Sequence, residues 1–285
     1  MKNFKDVSDA YQDALSMQYP SGEIKQIFLI AYTFVTNQNS MQYMLHQSEK
    51  ITEIELGHFQ DILQELQTGR PIQHIIGKAD FYGMRLSVNE HTLIPRPETE
   101  ELVEWIVSDH KGRTSLSILD IGTGSGCIAL ALKKLLPYTE IDAIDVSAGA
   151  IAIARQNADD LGLEVNFIQA DILEWDSFMQ SSQHYDIIVS NPPYITPEEQ
   201  KEMHNNVLLF EPHSALFVEE QAPLLFYDVI AEMGKKHLHS SGHLYFEINQ
   251  YLSSETCELL RKKGYRDVQL RQDLNRVDRM IKAGC

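Results

Sequence analysis

Beyond residue 113, short apolar runs alternate with amphipathic segments, and this alternation restricts the chain more than any other feature. Strands are expected at 115–120, 140–145, 165–169, 185–190, 243–248, 267–271 and 277–282. Helices are expected at 127–136, 148–161, 223–236 and 252–263, the last stopped by Gly264. Strands that take turns with helices pack as a mostly parallel sheet covered on both faces. The expectation is an α/β, Rossmann-like fold with a mostly parallel seven-stranded sheet. In open sheets of this kind a ligand binds beyond the carboxyl ends of the strands, where the winding reverses. The residues that follow the strands are therefore the candidates for chemistry.

The first of these strands runs into Asp120-Ile121-Gly122-Thr123-Gly124-Ser125-Gly126. Glycines permit positive φ and let a ligand touch the backbone. A glycine loop also serves dinucleotide-binding proteins, which hold pyrophosphate at a helix N-terminus. Here the third glycine comes one position early for that fingerprint. A carboxylate before the loop suits a cationic or amine-bearing ligand better than a pyrophosphate, so Gly122, Thr123, Gly124, Ser125 and Gly126 read as an S-adenosylmethionine loop. Asp145 ends the second strand, where a carboxylate can accept both hydroxyls of a ribose. Asp171 follows the third, placed to meet an adenine amine while Ile172 packs on the ring. Singly, Asp145 and Asp171 could equally be cap or loop acids.

The fourth strand carries Ile187-Ile188-Val189-Ser190 into Asn191-Pro192-Pro193-Tyr194. Two consecutive prolines remove two backbone donors and fix φ, so carbonyls around them are left free to accept from a ligand. Asn191 adds a side-chain carbonyl and amide, and Tyr194 a flat face. Together they would hold a planar NH2 group, although Asn and Pro are also ordinary turn residues. If the first and fourth strands are neighbours, Gly122 to Gly126 and Asn191 to Tyr194 face one crevice.

Ahead of the sheet, residues 1–70 read as a small helical domain with helices at 7–17, 23–36, 40–48 and 53–67. The last is the best marked: Thr52 and Glu55 have capping-box spacing, Ile54, Phe59, Ile62, Leu63 and Leu66 form an apolar stripe, and Gly69 and Pro71 stop it. Residues 71–100 read as a hairpin connector, and 101–285 as the catalytic domain. Prolines on both sides hold Arg96 extended, and the acids from Glu98 to Glu101 open a helix through Leu102, Val103, Trp105 and Ile106.

Composition narrows the function classes. With 285 residues, 43% of them hydrophobic, the core needs no staples. The three cysteines, Cys127, Cys257 and Cys285, form no Cys-x-x-Cys pair. Neither a disulfide framework nor a zinc site is indicated, and a reducing cytoplasm fits. The longest apolar run, 27–35, is too short to span a bilayer. A net charge of −17 repels phosphate backbones, which disfavours nucleic acid as a partner. No metal is expected: the cluster His237, His239 and His243 reads as a solvated loop. No membrane association is expected, and a monomer is.

The chain resembles the protein-(glutamine-N5) methyltransferases of peptide chain release factors, the HemK/PrmC family. The resemblance covers nearly the whole chain. It rests on Arg70-Pro71-Ile72-Gln73-His74-Ile75-Ile76-Gly77, Phe81-Tyr82-Gly83, Leu93-Ile94-Pro95-Arg96-Pro97-Glu98-Thr99-Glu100, the Asp120 to Gly126 loop, Ser190 to Tyr194, and Phe210-Glu211-Pro212. It implies a class I S-adenosylmethionine-dependent methyltransferase fold with a helical N-terminal substrate-recognition domain. The implied acceptor is the glutamine in the Gly-Gly-Gln loop of release factors. It also implies that Gly122 to Gly126, Asp145, Ile172 and Asn191 contact the cofactor, while Asn191, Pro192, Pro193 and Tyr194 hold the glutamine. Some relatives carry an aromatic residue where Ile172 stands. Asn-Pro-Pro-Tyr also occurs in adenine-amino methyltransferases, so the alternative is an N6-adenine methyltransferase acting on DNA or RNA. Glu211 is read as a structural carboxylate beside the crevice rather than a catalytic one.

Overall fold

Side chains that bond back to the backbone start three of the N-terminal helices. In the computed structural model, which describes residues 2–200, 205–218 and 221–285, Asn3, Asn39 and Thr52 each accept from the N–H three residues on. In return the Asp6, Gln42 and Glu55 side chains accept from the cap's own N–H. These reciprocal caps begin helices Phe4–Leu15, Ser40–His46 and Glu53–Gln67, and Ser21–Thr36 lies between the first two. Their apolar stripes close on an aromatic core. Phe28 stacks on Phe59 at 5.8 Å and meets Tyr11 edge-on at 5.4 Å, while the Tyr11 hydroxyl donates to the Phe59 carbonyl at 2.8 Å.

The chain divides into two units. One comprises the chain through Lys78 together with the helix Asn205–Phe210, and the other holds the rest. The segment 71–100 is split between them. Ile72–Ile76 forms a short helix bounded by Pro71 and by Gly77 in the left-handed region. Five residues are too few to show a helical period, which hid this helix in the sequence.

The second unit begins at Ala79, within a hairpin of β1 (Lys78–Phe81) and β2 (Met84–Ser87). Its turn residues, Tyr82 and Gly83, both have positive φ, 48° and 67°, as a tight hairpin turn requires. The Tyr82 N–H donates to Glu100 Oε1 at 2.6 Å, and its hydroxyl bonds Glu104, so the helix Pro97–Asp109 holds the turn.

All seven strands of the main sheet form: β3 (Ser117–Ile121), β4 (Glu140–Asp145), β5 (Asn166–Gln169), β6 (Tyr185–Ser190), β7 (Leu238–Glu247), β8 (Arg266–Gln272) and β9 (Asp278–Gly284). Their spatial order is β5-β4-β3-β6-β7-β9-β8. The first five are parallel, and β9 runs antiparallel to both β7 and β8. Helices Cys127–Leu135, Ala148–Leu161, Leu225–His237 and Ser253–Lys262 accompany the strands as the pattern requires. The central strands are buried on both faces, with Ile118, Ile187, Ile188 and Val189 fully inaccessible. Fully buried parallel strands read as unbroken apolar runs for this reason.

β7 begins five residues earlier than expected, and the histidine segment is not a solvated loop. Leu238 pairs with Tyr185, and the register then shifts to pair His243 with Ile187. His237 is buried, its Nδ1 2.8 Å from the Gln183 carbonyl. The irregular pairing breaks the period-2 pattern by which a strand is recognised. The three cysteines are free. Among the described residues no helix is long and apolar enough to cross a membrane.

Candidate active site

β3 has β4 on one side and β6 on the other, so the winding reverses between β3 and β6. Their register pairs Ile121 with Ser190, and the buried Ser190 hydroxyl donates to the Ile121 carbonyl at 2.7 Å. Gly122 and Asn191 therefore leave neighbouring strand ends. Beyond them lies a cavity of about 330 Å³, within the range of small-molecule sites. Gly122, Gly124, Asp145, Asp171, Ile172, Asn191, Pro192 and Pro193 all line it.

The glycine loop has two sides. At Gly122 and Gly124, φ is 72° and 56°, and a Cβ would meet nothing within 4 Å, so bare backbone faces open space. Thr123, Ser125 and Gly126, expected at the ligand, do not line the cavity. Thr123 is buried and its hydroxyl donates to Asp120 Oδ2 at 2.6 Å; Ser125 is buried as well. Gly126 has φ 81°, and a Cβ there would press Leu130 and Ala154 at 3.1 and 3.2 Å. These three shape the turn from behind.

Asp120 is also turned away from the cavity. It is fully buried, with Oδ1 unpartnered, and burial pushes its carboxyl up to about 7 despite the Thr123 hydroxyl and Ala129 N–H. The carboxyl expected to face an amine-bearing ligand instead braces the loop. Asp145 does face the cavity. Its Oδ2 accepts from the Gly124 N–H and its Oδ1 from the Ser147 N–H, each at 2.9 Å. Burial raises its pKa and these two donors oppose the shift. With about four lone-pair positions on a carboxylate, two acceptor positions remain. Asp171 caps the turn Ile172–Glu174 through the Leu173 N–H at 2.9 Å, and Ile172 and Leu173 form an apolar wall beside it.

At the β6 end, the carbonyls of Pro192 and Pro193 take part in none of the described hydrogen bonds. Tyr194 departs from expectation and does not line the cavity. Its ring packs against the core, its hydroxyl lies 3.4 Å from Glu247 Oε1, and its carbonyl accepts from Asn249 Nδ2 at 2.9 Å. Glu211 is buried, bonded to Arg96 Nη2 at 2.5 Å, and accepts from the Ile94 N–H. It ties the Pro95-Arg96-Pro97 bend to the segment after Phe210.

Some wall residues escaped the sequence reading. His91 lines the cavity, and its ring lies where a Cβ on Gly149 would be, 2.5 Å from that position. Glycine in the first turn of the helix Ala148–Leu161 was the available signal, because it is disfavoured there. Phe217 and Phe226 complete the apolar wall, and no motif announced them.

A family model described as "Methyltransferase small domain" matches residues 98–272, and one described as "PrmC N-terminal domain" matches 28–77. Among solved structures, a methyltransferase from Pyrococcus furiosus aligns with a TM-score of 0.52 at 18% identity, over 71% of this chain and 89% of that one. The delta-N METTL16 MTase domain aligns with a TM-score of 0.53 at 19% identity, over the same shares. The fold is that of the class I methyltransferases.

Sequence relatives resolve the class further. A release factor glutamine methyltransferase of Flavobacterium psychrophilum is 44% identical, over 99% of this chain and 98% of its own. That of Bacteroides thetaiotaomicron is 41% identical, over 93% and 94%. The chain belongs to the release factor glutamine methyltransferase family.

Two outcomes are expected from this site. Gly149→Ala should lower thermal stability, since the added Cβ would lie 2.5 Å from the His91 ring and 3.0 Å from its Cβ, a clash that outweighs the roughly 1 kcal/mol by which alanine is favoured over glycine in a helix. It should also weaken binding of S-adenosylhomocysteine, measured by calorimetry, by displacing His91; unchanged affinity would remove His91 from the site. The neutral Asp120 carboxyl contributes stability that is full below the unfolded carboxyl range near 4 and lost as pH rises through 7. Asp120→Asn removes that loss, so the Tm of the variant minus that of the wild type should increase by several degrees between pH 5 and pH 8. A constant difference would show that Asp120 does not titrate in this window.

Proposed function

We propose that the chain transfers a methyl group from S-adenosylmethionine to the side-chain amide nitrogen (N5) of the glutamine in the Gly-Gly-Gln loop of peptide chain release factors. The observation that carries this reading is the meeting of a bare-backbone glycine loop with Asn191 and Pro192 at the paired ends of β3 and β6, in a chain of this family. The helical N-terminal unit is proposed to recognise the release factor, in the cytoplasm, with the enzyme acting as a monomer.

The cavity residues fit S-adenosylmethionine. Open space over Gly122 and Gly124 admits a ligand against the backbone. Asp145 retains acceptor positions for two ribose hydroxyls, and the second oxygen of Asp171 can meet an adenine amine whose ring lies against Ile172 and Leu173. When bound, the cofactor supplies an electrophilic methyl group on a sulfonium.

An amide nitrogen is a poor nucleophile because its lone pair is delocalised into the carbonyl. The protein's part is to aim that lone pair and to stabilise the positive charge the nitrogen gains. The glutamine NH2 donates to Asn191 Oδ1 and to the Pro192 carbonyl, two acceptors held at a rigid bend. As positive charge develops on the nitrogen, both dipoles stabilise it at no reorganisation cost, and the charge is removed when the nitrogen releases one of its two protons. Tyr194 serves from beneath the bend, through its bond to Glu247 and its packing.

Loss of one preorganised dipole typically costs about 3 kcal/mol in the transition state. Asn191→Ala should therefore lower methyl transfer by about 100-fold or more, read as tritium from labelled S-adenosylmethionine entering a release factor. The same assay includes a release factor with its loop glutamine changed to alanine, and unmethylated DNA. Equal label on that variant, or label on DNA, would sink the glutamine reading in favour of the adenine one.

A further inference from the structure

Asn191 can serve as an acceptor toward the glutamine only if its side-chain oxygen, not its NH2, faces the cavity. The two orientations of an amide are nearly equal in shape, so the surrounding hydrogen bonds decide between them. Asn191 Nδ2 lies 3.4 Å from the Thr99 hydroxyl. Thr99 Oγ1 in turn donates to Glu247 Oε2 at 2.7 Å, and the other carboxylate oxygen takes the Tyr194 hydroxyl at 3.4 Å. Thr99 and Glu247 are 3% and 1% exposed, so water does not compete for these bonds. Thr99 stands in the first turn of the helix Pro97–Asp109, and Glu247 ends β7, one residue beyond the Phe246–Ser190 pair.

A hydroxyl has one proton. While Thr99 spends it on Glu247, only lone pairs face Asn191, and Asn191 must answer with its NH2. Its Oδ1 then points the other way. We propose, building on the methyl-transfer reading above, that Glu247 and Thr99 are positioning residues that fix the Asn191 amide with its oxygen toward the acceptor. The same carboxylate orients the Tyr194 hydroxyl. Catalytic hydrogen bonds in ligand-free sites are often long and tighten when substrate binds, which is consistent with the two 3.4 Å contacts.

The proton count also predicts a pH dependence. If Glu247 is protonated it can donate to Thr99, freeing the Thr99 proton for Asn191 Oδ1 and reversing the amide. Burial pushes Glu247 up to about 7, with the Thr99 bond and Arg279 of β9 opposing and Glu98 adding to the rise. Tyr194, Tyr227 and Cys127 also lie within reach of its charge. Ionised Glu247 is the form that holds Asn191 correctly, so turnover should climb as pH rises through 7.

Thr99→Val removes the hydroxyl while keeping the shape, and Thr99→Ser keeps the hydroxyl. The valine variant should lose about tenfold or more in kcat with S-adenosylhomocysteine affinity unchanged, and serine should recover most of that loss. Glu247→Gln should flatten the rise of kcat through pH 7. Independently of turnover, the side-chain NH2 resonance of Asn191 in 15N-asparagine-labelled protein, assigned through Asn191→Ala, should shift with a midpoint near pH 7. That shift should vanish in Thr99→Val. A serine variant as slow as the valine one, an unchanged pH profile in Glu247→Gln, or an Asn191 resonance indifferent to pH would each overturn the inference. If the wild type methylates no release factor, the functional reading fails, and the resonance still decides the orientation of Asn191.

Discussion

The site depends on the parallel pairing of β3 with β6. Sequence places their last residues, Ile121 and Ser190, far apart, and the register sets them side by side with a buried hydroxyl-to-carbonyl bond between them. Everything that meets the cavity is referred to that pair. The glycine loop leaves one strand and the proline bend leaves the other, and the reversal of winding between them keeps helices from filling the space. A slip of one residue would send Ile187 and Val189 to the face that Ile188 occupies, and Ile188 to theirs. Both faces are closely packed, so such a slip would leave side chains of the wrong shape on each.

The proline bend is rigid because it is held on its far side. After Tyr194, Ile195 forms an isolated parallel bridge with Phe217, giving to the Leu216 carbonyl and receiving from the Val218 N–H. Asn249, just past β7, donates to the Tyr194 carbonyl and to Glu199. The bend thus has strand structure on one side and this small ladder on the other. Between them, the proline carbonyls take part in none of the described backbone hydrogen bonds, so a donor group can find them without competition from the backbone.

Much of this was legible in the residues. Short apolar or alternating segments located all seven strands, and glycine and proline located both loops, because these signals are local. What stayed hidden is long-range or directional. Thr99 and Glu247 are 148 residues apart, and nothing in either segment names the other. His91 and Gly149 are linked only by a steric fit. A sequence shows that Asp120, Thr123 and Ser125 stand near a loop but not which way each points; all three turn inward. The sequence likewise does not show that the Tyr194 ring packs against the core rather than the cavity. The early start of β7 was masked by its register shift.

The antiparallel insertion of β9 between β7 and β8 bears on how the sheet assembles during synthesis. β9 follows every other strand along the chain, yet it occupies an interior place and pairs Met280 with Glu247. A ribosome that has released β3 through β7 has exposed everything the parallel half needs, but the outer edge of β7 remains without a partner. An open strand edge of this kind invites pairing with another chain. The interval between the emergence of β7 and that of β9, some thirty residues of synthesis at about 5–20 residues per second, is thus when a nascent chain is most exposed to misassembly. The helix Ser253–Lys262, made in that interval, contacts both β8 and β9 in the finished fold.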